Sequence, residues 1–440
     1  MTAPTRNRLL TETDRSIFRI AIPALAALAI DPLLTLTDTF FVARLGTNEL
    51  AALGVNAAIL SFAFLAFNFL AFVTTPLVAR ALGSGRSDEA RQYVGTALAL
   101  AVTIGVLVVI ALQLLAPTVI GLMGAEGEVA EHALTYLRIR GLAAVFVLVV
   151  ITGHGAFRGH KDTRTPLKVA VVVNLVNLAL DPLFIFTFGW GMAGAAWAAV
   201  VAQGIGAAMF IWMIRNRDMA RRPRSFAESA PALLTLGRNG ALLTIRSIFL
   251  TATFALAAST ATRLGPHQIA AHQLVFQGFI LAVMIADALE IAAQALVAEK
   301  TAGRDLVAVR ALTRRLLFWG SLVGLFLAAF IGFGRHALAL LASEPAVGDL
   351  VVSAAGVGAV AIVIGSVLFV SDGVFSGLLA FGTMALSTGA GFLVAVSLMM
   401  WSPLGDSLRG VWWAIGVFFL VRGLVFLVRY RSSAETAVRS

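Results

Sequence analysis

Apolar runs of membrane-spanning length recur along this chain, and they constrain its fold more than any other feature. Twelve are read, near 17–43, 50–79, 93–115, 130–156, 166–188, 191–214, 234–262, 269–298, 308–332, 350–379, 384–401 and 410–430. A helix needs about 20 apolar residues to cross a bilayer, whereas barrel strands alternate over about 10. The 440 residues are 59% hydrophobic and only 13% charged. A soluble protein of that length could not bury so much apolar surface. The expected fold class is an all-α integral membrane protein with twelve transmembrane helices. The first run is too long for a signal peptide and lacks a small-residue cleavage site, so it is read as the first span.

Charge sets the orientation. Most of the 33 Lys and Arg residues lie in alternate connections and at the two ends, Arg422 and Arg429 among them. The opposite connections hold Arg44, Arg263, Arg335 and Arg409. The positive-inside rule then places both termini and the central polar break, 215–238, in the cytoplasm. Because the net charge of +10 sits at helix ends, nucleic acid is not expected as a partner. Trp190, Trp401, Trp412 and Trp413 fit an interfacial aromatic belt.

The halves repeat. Arg44-Leu45-Gly46 follows the first span and Arg263-Leu264-Gly265 the seventh; Arg158-Gly159 ends the fourth and Ser376-Gly377 the tenth, at nearly one offset. Six spans per repeat predict two lobes related by a pseudo-two-fold axis along the membrane normal, as in transporters. The expected division is an N-terminal lobe at 1–214, a linker at 215–238 and a C-terminal lobe at 239–440.

Carboxylates break that symmetry. The first run carries Asp31 and Asp38, seven residues apart, hence on one helical face about 10.5 Å from each other. The fifth carries Asn174, Asn177 and Asp181 at i, i+3 and i+7, again on one face. The second-half counterparts of Asp38 and Asp181 are Ala257 and Met399. Ionisable groups within spans are costly and mark ion or substrate paths. Asp38 with the fifth-span trio makes an oxygen-rich pocket suited to a proton or a small hard cation, or else a polar network knitting two helices. Two such carboxyls titrate as a coupled unit. Asp287 and Glu290 of the eighth span, Asp372 of the tenth and His154 of the fourth are accessory candidates, for which structural pairing competes with ion handling. Arg246, within the seventh span, requires a carboxylate partner that spacing does not identify.

Several chemistries are excluded. With no cysteine, disulfides, thiolate metal sites and cysteine nucleophiles are ruled out. No P-loop, metal-ligand spacing or catalytic triad pattern is present, so neither an enzyme nor a cofactor is expected. Three readings follow: a secondary-active exporter, a flippase for lipid or polysaccharide precursors, and an intramembrane enzyme without a credible nucleophile. The acidic first half suits the first better than a phosphate-binding flippase.

Four motifs carry a resemblance: Thr37-Asp38-Thr39 before Arg44-Leu45-Gly46; Arg158 through Pro166; Asn177 through Pro182 before Gly194-Ala195-Ala196-Trp197; and Ala292 through Val297. With them the chain resembles the multidrug and toxic compound extrusion (MATE) family, in its DinF-like bacterial branch. The resemblance implies export of organic cations and other small-molecule organic toxins, driven by inward H+ or Na+. It implies a multi-pass protein of the bacterial cytoplasmic membrane, with lipids around it, working as a monomer. It also implies a cation site at Asp38, Asn177 and Asp181. A sixth-helix Thr of relatives corresponds to Ala199, which removes an oxygen ligand and favours H+. Asp31 stands where relatives carry Gln or Glu.

Overall fold

This computed structural model describes residues 11–65, 67–221, 225–342 and 344–439, and among them every regular element is helical. The first half contains α1 (Glu12–Val42), α2 (Thr47–Leu65), α3 (Phe69–Gly83), α4 (Ser87–Leu122), α5 (Gly127–Gly141), α6 (Ala144–Gly159), α7 (Arg164–Pro182) and α8 (Gly191–Asn216). The second contains α9 (Phe226–Leu264), α10 (Pro266–Ala302), α11 (Leu306–Ala339), α12 (Pro345–Gly377), α13 (Phe381–Trp401) and α14 (Leu408–Arg439). Ten of the described helices are long and apolar enough to cross a membrane, or eleven when α5 and α6, bent by 51°, count as one span. The remaining expected run, 50–79, is divided between α2 and α3. The protein is therefore a multi-pass, all-α membrane protein.

Local chemistry explains where helices start and break. Thr11 and Asp14 cap the start of α1 reciprocally: the Thr11 amide donates to Asp14 Oδ2 (2.8 Å) and the Asp14 amide to Thr11 Oγ1 (3.2 Å). Asp305 accepts from the amides of Val307 and Ala308 to open α11, and Pro266 and Pro345 open α10 and α12. Between α5 and α6 the amides of Leu142 and Ala143 bond to carbonyls three residues back, a tightening that turns the chain.

The chain packs as two compact units. One is residues 26–244; the other joins residues up to Leu25 to Ile245 and beyond. The start of α1 belongs to the second unit because Asp14, fully buried, accepts from Arg315 Nε (2.6 Å) and Nη2 (2.6 Å) and from Trp319 Nε1 (2.7 Å) on α11. Trp412, expected in an interfacial belt, is instead fully buried, its ring packed against Phe279 and His272. Its neighbour Trp413 takes the outward position.

The internal repeat is visible as packing. In the first unit α6 lies on α3, and a Cβ at Gly155 would fall 2.8 Å from Ala71 Cα. One turn on, a Cβ at Gly159 would fall 2.7 Å from Val78 Cβ. In the second unit α12 lies on α10 in the same way: a Cβ at Gly373 would drive into the Glu290 carbonyl, and one at Gly377 would fall 2.8 Å from Val297 Cβ. Small residues four apart let helices approach closely in lipid, where apolar burial supplies no force between them. Gly155→Ala and Gly373→Ala should each cost about 1–3 kcal/mol by overpacking. Gly237→Ala, with nothing within 4 Å of the new methyl, serves as the control. Thermal unfolding of the detergent-solubilised protein checks this, and equal midpoints for all three would refute the seams.

Candidate functional site

Asp38, Asn177 and Asp181 meet inside the first unit. Asn177 and Asp181 stand one turn apart on α7, both fully buried, and the second half of α1 brings Asp38 to them. The Asn177 amide nitrogen donates to Asp38 Oδ1 at 2.8 Å and to Asp181 Oδ2 at 2.7 Å. One amide thus bridges two carboxyls from different helices. Pro182 has no N–H to continue the α7 ladder, and the chain passes into a π turn at Leu183–Thr187, with Phe188 N donating to Leu183 O at 2.9 Å. The π turn is held by α8: a Cβ at Gly194 would lie 2.7 Å from the Phe184 carbonyl.

The site has unfilled valence. Among the described residues, Asp181 Oδ1 and Asn177 Oδ1 are buried without a hydrogen-bond partner. A buried unpaired oxygen is costly, so each is suited to receive a proton donor or a cation. Tyr136 on α5 stands within electrostatic reach of both carboxyls, and Arg140, one turn on, within reach of Asp38. Sequence reading missed this pair. Both lie on a short, polar helix at no regular spacing from the acids; the only available signal was that Arg140 falls within an apolar run.

Not every residue of the expected cluster joins it. Asn174 shares the α7 face but turns its amide to the Ala170 carbonyl of its own helix, at 3.0 Å. His154 packs against Phe210, ring centroids 5.3 Å apart. Asp31 falls within α1, but its side chain lies outside the described residues.

The second unit gathers its own charges differently. Asp372 of α12, fully buried, accepts from Arg246 Nη2 of α9 and from Arg422 Nη2 of α14, the latter at 2.8 and 2.7 Å to its two oxygens. The partner that Arg246 required is therefore Asp372. Arg422, expected in the cytoplasmic basic set, is fully buried, because α14 turns it inward to the same carboxylate. Glu290, also buried, and Asp287 of α10 lie within electrostatic reach of Arg246. Acids here sit among guanidiniums, whereas in the first unit two acids share an amide.

Comparison with known proteins agrees with this architecture. The MatE family model matches the chain twice, over residues 23–183 and 243–401, once in each half. Protein DETOXIFICATION 44, chloroplastic, of Arabidopsis thaliana is 32% identical over 421 residues, covering 92% of this chain and 80% of that protein. DNA damage-inducible protein F of Escherichia coli is 26% identical over 436 residues, covering 96% and 93%. The Vibrio cholerae MATE transporter VcmN, in a bent form, superposes with a TM-score of 0.89 at 20% identity over 96% of this chain and 97% of that one. A duplicated helical unit, matched by the same family model in both halves, places the chain in the MatE family of membrane transporters.

Proposed function

We propose that the protein is a secondary-active antiporter that exports organic cations and other toxic small molecules in exchange for H+. The observation that carries this reading is the pair of carboxyls, Asp38 and the fully buried Asp181, bridged by a single amide. Two carboxyls with one guanidinium in reach are electrically balanced when they hold one monovalent cation between them. A proton suits the geometry better than Na+. The Asn177 N–H groups, not its carbonyl, front the carboxylates, and hard cations need converging oxygens. Ala199, buried on α8, adds no oxygen ligand.

Coupling requires that proton and substrate favour different conformations, since a ligand shifts an equilibrium only by its differential affinity. The bridge supplies such an element: discharging it loosens the tie between α1 and α7. The α7 π turn, a local departure from helical geometry at the end of the tie, is a place where that loosening can be taken up. Asp372 is held by two guanidiniums, which supports a structural rather than a proton-carrying part for the second-unit acids. The protein works in the cytoplasmic membrane of a bacterial cell, as a monomer with both termini cytoplasmic.

Three substitutions separate these roles. Asp181→Asn keeps size and hydrogen bonding, so the protein should insert normally and yet confer no drug resistance on a sensitive host. Asp38→Asn should abolish substrate-induced proton release from the purified protein between about pH 6 and pH 9, a window above the ordinary carboxyl range. Asp372→Asn, by contrast, leaves two buried guanidiniums undercompensated and should lower stability by about 3–5 kcal/mol. If Asp372→Asn folds normally and alone loses proton release, the proton site lies in the second unit.

A further inference from the structure

Helices α11 and α14 both pack on α12 but hardly touch each other. A groove of about 600 Å³ lies between them, floored by α12. Its floor is apolar and rigid: Leu368 and Phe375 are almost wholly buried, and Phe375 stacks on Phe426 of α14 with ring centroids 4.2 Å apart. Its mouth is apolar too. Val307 and Leu427 are 75% and 77% exposed, and on a membrane-spanning surface such side chains meet lipid rather than water. The groove therefore opens sideways to the bilayer.

One end carries a different chemistry. Arg310 and Arg314, one turn apart on α11, line that end, and Thr313 and Tyr430 place hydroxyl groups beside them. Leu317 lies about 10.5 Å further along the helix than Arg310, on the apolar part of the wall. No acid lines the groove. Glu435 comes to 3.8 Å of Arg310 but is held closer by Arg431, at 3.0 Å. Among the described residues Arg314 has no ion pair. The start of α11 and the ends of α12 and α14 converge here, on the side where the basic connections cluster. That side faces the leaflet richer in anionic lipid.

We propose that this groove binds one anionic phospholipid of the cytoplasmic leaflet. The phosphodiester sits between Arg310 and Arg314, and the first acyl segment lies along Leu368, Phe375 and Phe426. Two guanidiniums at one end and an apolar trough opening to the bilayer match a lipid that is charged at one end. They do not match a soluble anion, which gains nothing from the trough. The groove lies wholly within the second unit and shares no lining residue with the Asp38 site, so its occupant is a resident lipid and not the exported substrate.

Native mass spectrometry of the delipidated full-length protein tests this, with dioleoyl phosphatidylglycerol and dioleoyl phosphatidylcholine as probes. One phosphatidylglycerol should be retained in preference to phosphatidylcholine. Arg310→Gln combined with Arg314→Gln should weaken it on the order of 30-fold and leave phosphatidylcholine unchanged. Both arginines are exposed, so the double variant should fold; unchanged substrate-induced proton release confirms that it has. Removing the same charge at exposed positions in the other unit, Arg164→Gln with Arg215→Gln, should leave the preference intact. Equal retention of both lipids overturns the proposal, as does a double variant that keeps the preference. Displacement of the lipid by millimolar glycerol phosphate overturns it too, since it would make the site one for soluble anions.

Discussion

A carboxylate inside a bilayer has to be compensated, and the way Asp38 and Asp181 are compensated organises the first unit. Among the described residues neither forms a direct ion pair with a basic side chain. Both accept from the one amide of Asn177, at 2.8 and 2.7 Å, leaving Asp181 Oδ1 buried and unpartnered. Fully satisfied polar networks rigidify a core, while an unpaired buried polar atom is costly. α1 and α7 are thus joined by a tie whose strength depends on what occupies it. The break of α7 into a π turn directly after Pro182 places a departure from α-helical geometry beside the tie.

The second unit uses the same scaffold for a different purpose. Its Gly373 and Gly377 seam against α10 repeats the Gly155 and Gly159 seam against α3. Where the first unit has a small Ala71 at its seam, the second has Glu290. The burial of that acid is accompanied by Arg246 and Arg422, which converge on Asp372. Breaking such a buried pair costs several kcal/mol, because the remaining charge stays in the low-dielectric interior. The duplication therefore preserved the backbone approach and diverged in charge. One half keeps two acids bridged by an amide, and the other keeps an acid held by guanidiniums.

Asp14 shows how far tertiary contacts redistribute what looks like one continuous helix. α1 runs from Glu12 to Val42, yet its first turns pack with the second unit through Arg315 and Trp319, while Asp38 at its other end serves the first. One helix thus contributes its first turns to the packing of one unit and Asp38 to the polar cluster of the other.

Much of this was legible in the sequence. Apolar runs of spanning length, the offset between Arg44-Leu45-Gly46 and Arg263-Leu264-Gly265, and the seven-residue reach of α7 from Asn174 to Asp181 are one-dimensional periodicities, and helices preserve them. Hence the all-α class, the repeat and the meeting of Asp38, Asn177 and Asp181 could be expected without coordinates. Spacing along one helix says which residues share a face, but not which neighbour that face meets. That is why Asn174 was grouped with a site it does not join, and why Tyr136 and Arg140 were missed. It is also why Arg422 and Trp412 were placed at the membrane surface although both are buried. Which helix lies against which is settled by side-chain packing over long sequence separations. Only the tertiary structure decided that Arg246 and Arg422 share Asp372, and that α11 and α14 leave a groove between them.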